Sequence, residues 1–133
     1  MKFDEMKAIV ASNPFAVLIG MELLEAEDGH ARARVRLQPQ LTNVYGGMHG
    51  GCVFALADTL AGIAASTYGD HVTTLDASVN YMRPVVKTQY LYCEAEVLRN
   101  GTKISVVCTK LTDDDGKLLV HGNFTYYHLA LEG

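Results

Sequence analysis

The sequence predicts an α+β fold in which one curved antiparallel sheet surrounds a single central helix. Residues 52–66 have the length and composition of a helix, and apolar side chains occupy nearly every face of it. A helix that is apolar all round is normally buried on all sides. Segments with the period-two alternation of strands precede and follow this helix. Because one flat layer cannot cover every face of the helix, we expect the sheet to curve around it.

The first third of the chain predicts a short helix and two strands. Residues 3–11 place apolar side chains on one face, which is typical of an amphipathic helix, and the residue before Pro14 ends it. The apolar residues 15–19 are expected to lead into a strand over about residues 21–27. Residues 30–38 alternate between apolar and polar side chains, which indicates a half-buried strand.

Further strands are predicted after the central helix. A period-two pattern covers residues 75–82 and stops at Arg83-Pro84. Residues 90–98 and 103–112 flank Asn100-Gly101, which is a strong hairpin signal, and residues 118–129 form the last strand.

The length and composition of the chain limit the classes of protein to which it can belong. The 133 residues fit a single domain over residues 1–133, and 49% hydrophobic residues suffice for a folded core. The net charge of −4 argues against a nucleic-acid partner. No secretory signal is expected, because the N-terminal segment is acidic and lacks a continuous apolar run, and the central helix is too short to span a membrane. With an odd count of three cysteines, these features predict a cytoplasmic protein with reduced thiols and no membrane partner.

A glycine-rich turn over residues 46–51 leads into the central helix, which carries one charged residue, Asp58. The first N–H groups of a helix have no partner inside it, so the turn can bind an anion or a polarised carbonyl oxygen. A buried carboxylate is costly unless it is paired, hydrogen-bonded or used in chemistry, and we interpret Asp58 as functional. Oxyanion donors and a carboxylate on one element indicate an acyl-transfer site.

Several other kinds of site are not indicated. The sequence has neither a phosphate-binding glycine loop nor the G-x-S-x-G motif of a serine nucleophile. Its histidines and cysteines lack metal-ligand spacing, so no metal is expected. Cys52 is interpreted as a core residue rather than a reactive thiolate. His49 could act as a base, act as a ligand or hold the glycine turn, and the last interpretation is favoured.

Together these motifs resemble a known family. The pattern Asn43-x-x-x-Gly47-x-His49-Gly50-Gly51-x-x-Phe54-x-Leu56-x-Asp58 is followed by Val79-Asn80-Tyr81-x-Arg83-Pro84. It is similar to the hotdog-fold acyl-CoA thioesterases of the phenylacetate-pathway type, and the similarity extends from Asn13 through the last strand. The resemblance implies a hotdog fold, hydrolysis of acyl-CoA thioesters to a free acid and CoA, and a homotetramer.

The resemblance also implies roles for individual residues. Gly50 would donate its backbone N–H to the thioester carbonyl oxygen, Asn43 would orient the reacting group, and His49 would support the loop. Asp58 would be the general base or the nucleophile, and Thr74 would position the water or the carboxylate. Coenzyme A is then part of the substrate, so no cofactor is implied.

Substrate contacts are expected from Gly51 and from four basic residues. Candidates for the phosphates of CoA are Arg83, Lys87, Arg99 and Lys103. Exposed cations are usually only solvated, so the sequence does not choose among these four.

Spacing gives a separate argument for a shared active site. Gly50 and Asp58 are eight positions apart, which corresponds to about 12 Å along a helix. One carbonyl carbon cannot lie within about 3 Å of both groups. The two must therefore come from antiparallel copies of the helix related by a two-fold axis. The open face and edges of the predicted sheet likewise predict a homodimer or larger assembly.

Two alternative functions stay open. Hotdog hydratases and dehydratases use a different arrangement of histidine and carboxylate, and a non-catalytic module on this fold could bind acyl-CoA. A binding module needs no buried base, which favours hydrolysis. The sequence leaves open whether the acyl group is aryl, short-chain or long-chain, and whether Asp58 is a base or a nucleophile.

Overall fold

A single six-stranded antiparallel sheet organises residues 2–129, which are the residues that the computed structural model describes. The spatial order of its strands is β1-β2-β4-β5-β6-β3. The strands are β1 (Glu22–Glu27), β2 (His30–Arg36), β3 (His71–Tyr81), β4 (Tyr90–Asn100), β5 (Ile104–Thr112) and β6 (Leu118–Leu129). The helices are α1 (Phe3–Ala11), α2 (Pro14–Ile19) and α3 (Gly50–Ser66), with a 3-10 turn at Pro39–Leu41. The predicted domain also includes residue 1 and residues 130–133, which lie outside the described residues.

The sheet curves around α3, and this helix packs against all six strands. Leu56 and Leu60 of α3 are fully buried, as are Leu91, Leu111 and Phe124 on the strands. Burial of side chains of this size contributes about 1.5–3 kcal/mol each. The α+β prediction of a curved antiparallel sheet around one central helix is confirmed.

The predicted strands are present, with ends that differ by a few residues. β3 begins at His71, ahead of the predicted alternation, because its pairing with β6 extends from His71 to Tyr81. A register shift between Thr74 and Asp76 interrupts the period-two pattern near the start of the strand. The hairpin at Asn100-Gly101 is also present, with residues 101–103 as the connection.

Residues 15–19, for which the sequence predicts only a lead into the first strand, form the helix α2 ahead of that strand. The Asn13 side chain caps this helix by accepting hydrogen bonds from the N–H groups of Phe15 and Ala16, and Pro14 occupies its first turn. Gly20 ends it in the left-handed region, with φ of 74°. The Asn13 cap, Pro14 and Gly20 therefore define a helix here, although the apolar run gave no helical signal of its own.

Helix α3 begins at Gly50, two residues before the predicted start. His49 is its N-cap residue, and the Nδ1 atom of His49 accepts a hydrogen bond of 2.8 Å from the N–H of Gly51. The imidazole therefore satisfies one of the N–H groups that a helix leaves without an internal partner. This contact agrees with the interpretation that His49 holds the glycine turn.

The expectation that α3 is buried on every side is wrong for the described chain. One stripe along the helix, at the helical spacing, is only partly covered: Gly51, Phe54, Ala55, Asp58, Thr59, Gly62 and Ser66. The sheet covers the other sides, whereas α1 and α2 leave this stripe partly open. Asp58 is consequently half-buried rather than buried.

Strand β3 forms one edge of the sheet. It is eleven residues long, and β6 is its one partner among the described strands. Leu75 on this strand and Met82 just after it are 54% and 51% exposed. A long edge strand with exposed apolar side chains is a surface suited to pairing with another strand.

The N-cap role of His49 predicts a measurable stability difference. His49→Ala should lower the free energy of unfolding by about 1 kcal/mol, because the Gly51 N–H loses its acceptor. His49→Asn should retain most of the stability, since the asparagine oxygen can accept the same hydrogen bond. Urea unfolding at one fixed protein concentration measures both values. His71→Ala, at an exposed histidine, is the control; equal stability of His49→Ala and the wild type would show that the cap contributes nothing.

Candidate active site

Asp58 lies at the centre of a small hydrogen-bonded group on the partly open side of α3. Its Oδ1 atom accepts a hydrogen bond of 2.8 Å from the Thr74 hydroxyl on β3. The Tyr126 hydroxyl, on β6, lies 2.9 Å from the same oxygen and donates at 2.6 Å to the backbone carbonyl of Asp58. The structure thus brings together the predicted pair Asp58 and Thr74 and adds Tyr126.

A cavity of about 330 Å³ opens beside the Asp58 carboxylate, between α1, α3 and β3. Part of its wall is apolar and is formed by Met6, Ile9, Val10, Ile63 and Val72. Its polar wall includes Asp58, Thr59, Thr74, Tyr126, Asp70 and His71. An apolar pocket with a few convergent polar groups is the usual form of a small-molecule site.

Gly50 lies at the other candidate location, the N-terminus of α3. Within residues 2–129, its backbone N–H donates a hydrogen bond to no other group. The Tyr81 hydroxyl donates to the Gly50 carbonyl oxygen at 2.9 Å and so fixes this peptide against β3. A second cavity, of about 240 Å³, adjoins Gly50 and is also lined by Asn43, Tyr81 and Arg83. This free N–H at a helix N-terminus has the chemistry of an oxyanion donor.

Asn43 shapes the loop that precedes Gly50. Its Oδ1 atom accepts hydrogen bonds from the N–H groups of Tyr45 at 2.9 Å and Gly47 at 3.3 Å. Because two backbone donors point at this atom, it must be the oxygen, and the Nδ2 amide group is left as a donor. Asn43 also lines the cavity beside Gly50, so its amide can serve the ligand while its oxygen holds the loop.

Within one chain the structure does not bring Gly50 and Asp58 together. They lie on the same rigid helix, and their two cavities share no lining residue. Each cavity is lined by one of the two groups predicted for an acyl-transfer site, the N–H donor at Gly50 in one case and the Asp58 carboxylate in the other.

The residues predicted to contact substrate do not form one cluster. Arg83 lines the cavity beside Gly50, whereas Arg99 and Lys103 line a separate hollow of about 460 Å³ at the β4–β5 connection. Lys87 is exposed in the segment between β3 and β4. The Gly51 N–H is engaged by His49, so any contact of Gly51 with a substrate would use its other atoms.

Two tyrosines join the candidate site: Tyr126, which the sequence interpretation missed, and Tyr81, which it included in the motif without a role. Tyr126 is 2% exposed, and burial together with the neighbouring Asp58 charge raises its hydroxyl pKa far above the usual range. The alternation of β6 puts Tyr126 on the same face as the buried Phe124. A buried tyrosine hydroxyl needs a hydrogen-bond partner, so this alternation was a usable signal.

The described cysteines, histidines and acidic residues form neither a reactive-thiol site nor a metal site. Cys52 is buried and burial raises its thiol pKa, which agrees with the core interpretation. Residues 2–129 contain no group of three histidine, cysteine or acidic side chains placed to hold a metal ion. Over the same residues, no helix is long and apolar enough to cross a membrane.

Comparison with known proteins identifies relatives of this arrangement. Human acyl-coenzyme A thioesterase 13 is 26% identical over 126 residues, which cover 92% of this chain and 90% of that protein. The structure of the E. coli PaaI protein from the phenylacetic acid degradation operon aligns with a TM-score of 0.88 at 20% identity, over 92% of this chain and 89% of that one. The structure of smu.793 from Streptococcus mutans bound to acetyl CoA aligns with a TM-score of 0.81 at 23% identity, over 86% and 92% of the two chains.

The family assignment rests on the sequence match to a family model. The model of the Thioesterase superfamily matches residues 45–120, which is more than half of the chain. This segment contains Gly50, Asp58 and Thr74, and the resemblance to hotdog thioesterases of the phenylacetate-pathway type is confirmed. The chain therefore belongs to the Thioesterase superfamily, a family of hydrolases, and has the hotdog fold.

Proposed function

We propose that this protein hydrolyses acyl-CoA thioesters in an active site shared by two copies of the chain. The observation that carries the proposal is the separation of a free N–H donor at Gly50 from a hydrogen-bonded carboxylate at Asp58, each beside its own cavity. The names of the relatives support the substrate class: one is an acyl-coenzyme A thioesterase and one was solved with acetyl CoA.

Strand β3 supports the arrangement of the two copies. Asp58 is bonded to Thr74 on this strand, and Gly50 is bonded to Tyr81 on the same strand. If two β3 edges pair antiparallel about a two-fold axis between Ala77 and Ser78, Thr74 of each copy lies opposite Tyr81 of the other. Such pairing brings Asp58 of one copy towards Gly50 of the other, covers the exposed apolar residues of the edge and creates two identical sites. We propose this homodimer, alone or as half of a homotetramer.

The proposed chemistry uses the backbone of one copy and the carboxylate of the other. The Gly50 N–H stabilises the negative charge that develops on the thioester carbonyl oxygen, a contribution of about 3–4 kcal/mol for one such donor. Asp58 either removes a proton from the attacking water or attacks the carbonyl carbon itself. If Asp58 acts as the base, water adds to the carbonyl carbon, the tetrahedral intermediate collapses with cleavage of the C–S bond, and the departing CoA sulfur takes up the proton held by Asp58, which leaves the free acid. If Asp58 attacks, cleavage of the C–S bond releases the CoA thiolate and leaves a mixed anhydride on Asp58, which a water molecule then hydrolyses to the free acid and the regenerated carboxylate.

The CoA moiety is proposed to contact basic side chains near the mouth of the site. Arg83 is the candidate beside the oxyanion donor, since it lines the Gly50 cavity. Arg99, Lys103 and Lys87 remain candidates for the more distant phosphates, because CoA extends well beyond its thioester. We propose a cytoplasmic location, where reduced thiols and CoA esters occur together.

The first test is the substitution Asp58→Asn. This nearly isosteric change should leave the fold intact and lower kcat at least about a hundredfold with little change in KM, as expected for a group that acts in the transition state. Free CoA release is measured with a thiol reagent over aryl, short-chain and long-chain acyl-CoAs. Asp115→Asn, in the exposed β5–β6 turn, is the matched control and should behave as wild type. Wild-type hydrolysis by Asp58→Asn, or hydration of crotonyl-CoA without CoA release, would contradict the proposal.

The second test asks whether the two parts of the site come from different chains. Asn43→Ala and Asp58→Asn should each be inactive as homodimers. In a mixed dimer one site carries both substitutions, while the other draws its asparagine and its aspartate from unaltered copies. Random mixing gives about half mixed dimers with one intact site of two, so activity should recover to roughly a quarter of the wild-type value.

The measurement is CoA release after the two variants are unfolded together, mixed at equal concentration and refolded. Mass spectrometry of the intact assembly confirms subunit exchange, and each variant refolded alone provides the baseline. If exchange occurs and activity stays at the baseline, both groups act within one chain.

A further inference from the structure

We propose that Tyr126 is a positioning residue for Asp58: with Thr74 it holds the Oδ1 atom of the carboxylate and leaves Oδ2 as the oxygen that takes a proton or attacks. This inference rests on the proposed hydrolase function, because it assigns a task to each oxygen of the proposed catalytic carboxylate. It concerns a side chain that the sequence pattern did not single out.

The two oxygens of the Asp58 carboxylate have different surroundings. Oδ1 has two hydroxyl oxygens at hydrogen-bond distance, those of Thr74 at 2.8 Å and Tyr126 at 2.9 Å. Among the described residues, no donor contacts Oδ2. The lone pairs of Oδ2 are therefore free for a water molecule or a carbonyl carbon in the adjoining cavity.

The position of the Tyr126 hydroxyl is itself fixed by packing and by the backbone. The ring is 2% exposed and stacks on Phe124 with 6.4 Å between the ring centroids. The ring also lies close to α3 at Gly62, where a Cβ would be in ordinary van der Waals contact with it, at 3.4 Å. The hydroxyl donates at 2.6 Å to the Asp58 carbonyl oxygen, so its single proton is shared between the backbone and the carboxylate of the same residue. This double contact restrains the rotation of the Asp58 side chain relative to the helix.

Tyr126 acts as a donor and not as an acid or base. Burial and the Asp58 charge keep its phenol protonated over the working range of an enzyme, because they raise its pKa far above that range. The buried Cys93 on β4 makes a smaller contribution to raising the pKa of Tyr126, and burial also raises the pKa of that thiol. The other titratable groups that line the Asp58 cavity are Asp70 and His71. Neither of them is hydrogen-bonded to Asp58, so the hydroxyls of Thr74 and Tyr126 are the groups that act directly on its carboxylate.

The test is Tyr126→Phe, with Tyr127→Phe as the matched control. Tyr127 follows on the same strand with its side chain exposed. Loss of one hydrogen bond to a charged group should reduce kcat about tenfold to a hundredfold with little change in KM. The acidic limb of the pH–rate profile should move to higher pH, because hydroxyl donors favour the charged carboxylate and one has been removed. A side chain needed only for packing would not move this limb, and Tyr127→Phe should leave both readouts unchanged.

Two further variants keep the test decisive. Replacement of Tyr126 by 3-fluorotyrosine preserves the packing and strengthens the donor, so the acidic limb should move to lower pH even if Tyr126→Phe folds poorly. Thr74→Ala should shift the limb in the same direction as Tyr126→Phe, and Thr74→Ser, which keeps the hydroxyl, should restore it. Unchanged kcat and an unmoved limb in folded Tyr126→Phe, or an unmoved limb in the fluorotyrosine protein, overturn the inference. Asp58→Asn measured alongside separates this failure from that of the proposed function, because an active Asp58→Asn would contradict the proposed function itself.

Discussion

The rigidity of α3 is the constraint on which the rest of the structure depends. An α-helix cannot be shortened, so Gly50 and Asp58 are held about 12 Å apart on one chain. The sheet curves around this helix and covers every side except the stripe that carries Asp58. The two chemical groups consequently face separate cavities, and both are tied to the edge strand β3 by hydroxyl groups. The geometry of one helix thus explains why the proposed active site needs two copies.

The environment of Asp58 balances burial against hydrogen bonding. A carboxylate on an apolar helix would be costly without donors, and the strands supply two hydroxyls, from Thr74 on β3 and Tyr126 on β6. Both hydroxyls contact Oδ1, so they stabilise the charge of the carboxylate and leave Oδ2 without a hydrogen bond from the described residues. At the opposite end of the site, Asn43 and His49 use their side-chain acceptors to shape the glycine turn, which leaves the Gly50 N–H free. In both places polar groups stabilise the fold and leave one proposed catalytic group available, the Gly50 N–H or the Oδ2 atom of Asp58.

Departures from the sequence-based expectations have local physical causes. Residues 15–19 form a helix because Asn13 caps it and Gly20 ends it, although their apolar run suggested a lead into a strand. A register shift near Thr74 interrupts the alternation near the start of β3, and only its pairing with β6 defines that end. The four basic residues proposed for CoA were grouped by charge, but Arg83 and Arg99 belong to different surfaces of the chain. The charge of a side chain predicts that it is solvated, but it does not show on which surface of the folded chain the side chain lies.

Local patterns in the sequence are sufficient to predict the α+β class, the central helix, the strands and the motif Asn43, His49, Gly50 and Asp58. These features depend on periodicity, turn chemistry and the spacing of residues along one helix, all of which are local properties. The sequence also determined that Gly50 and Asp58 cannot act on one carbon from one chain, since helix rise is fixed. Only the tertiary structure decided that Tyr126, 68 positions away, donates to Asp58, and that Asp58 is half-buried beside a cavity under α1. Such contacts join segments that are distant in the chain, and they exist only once the sheet has closed around the helix.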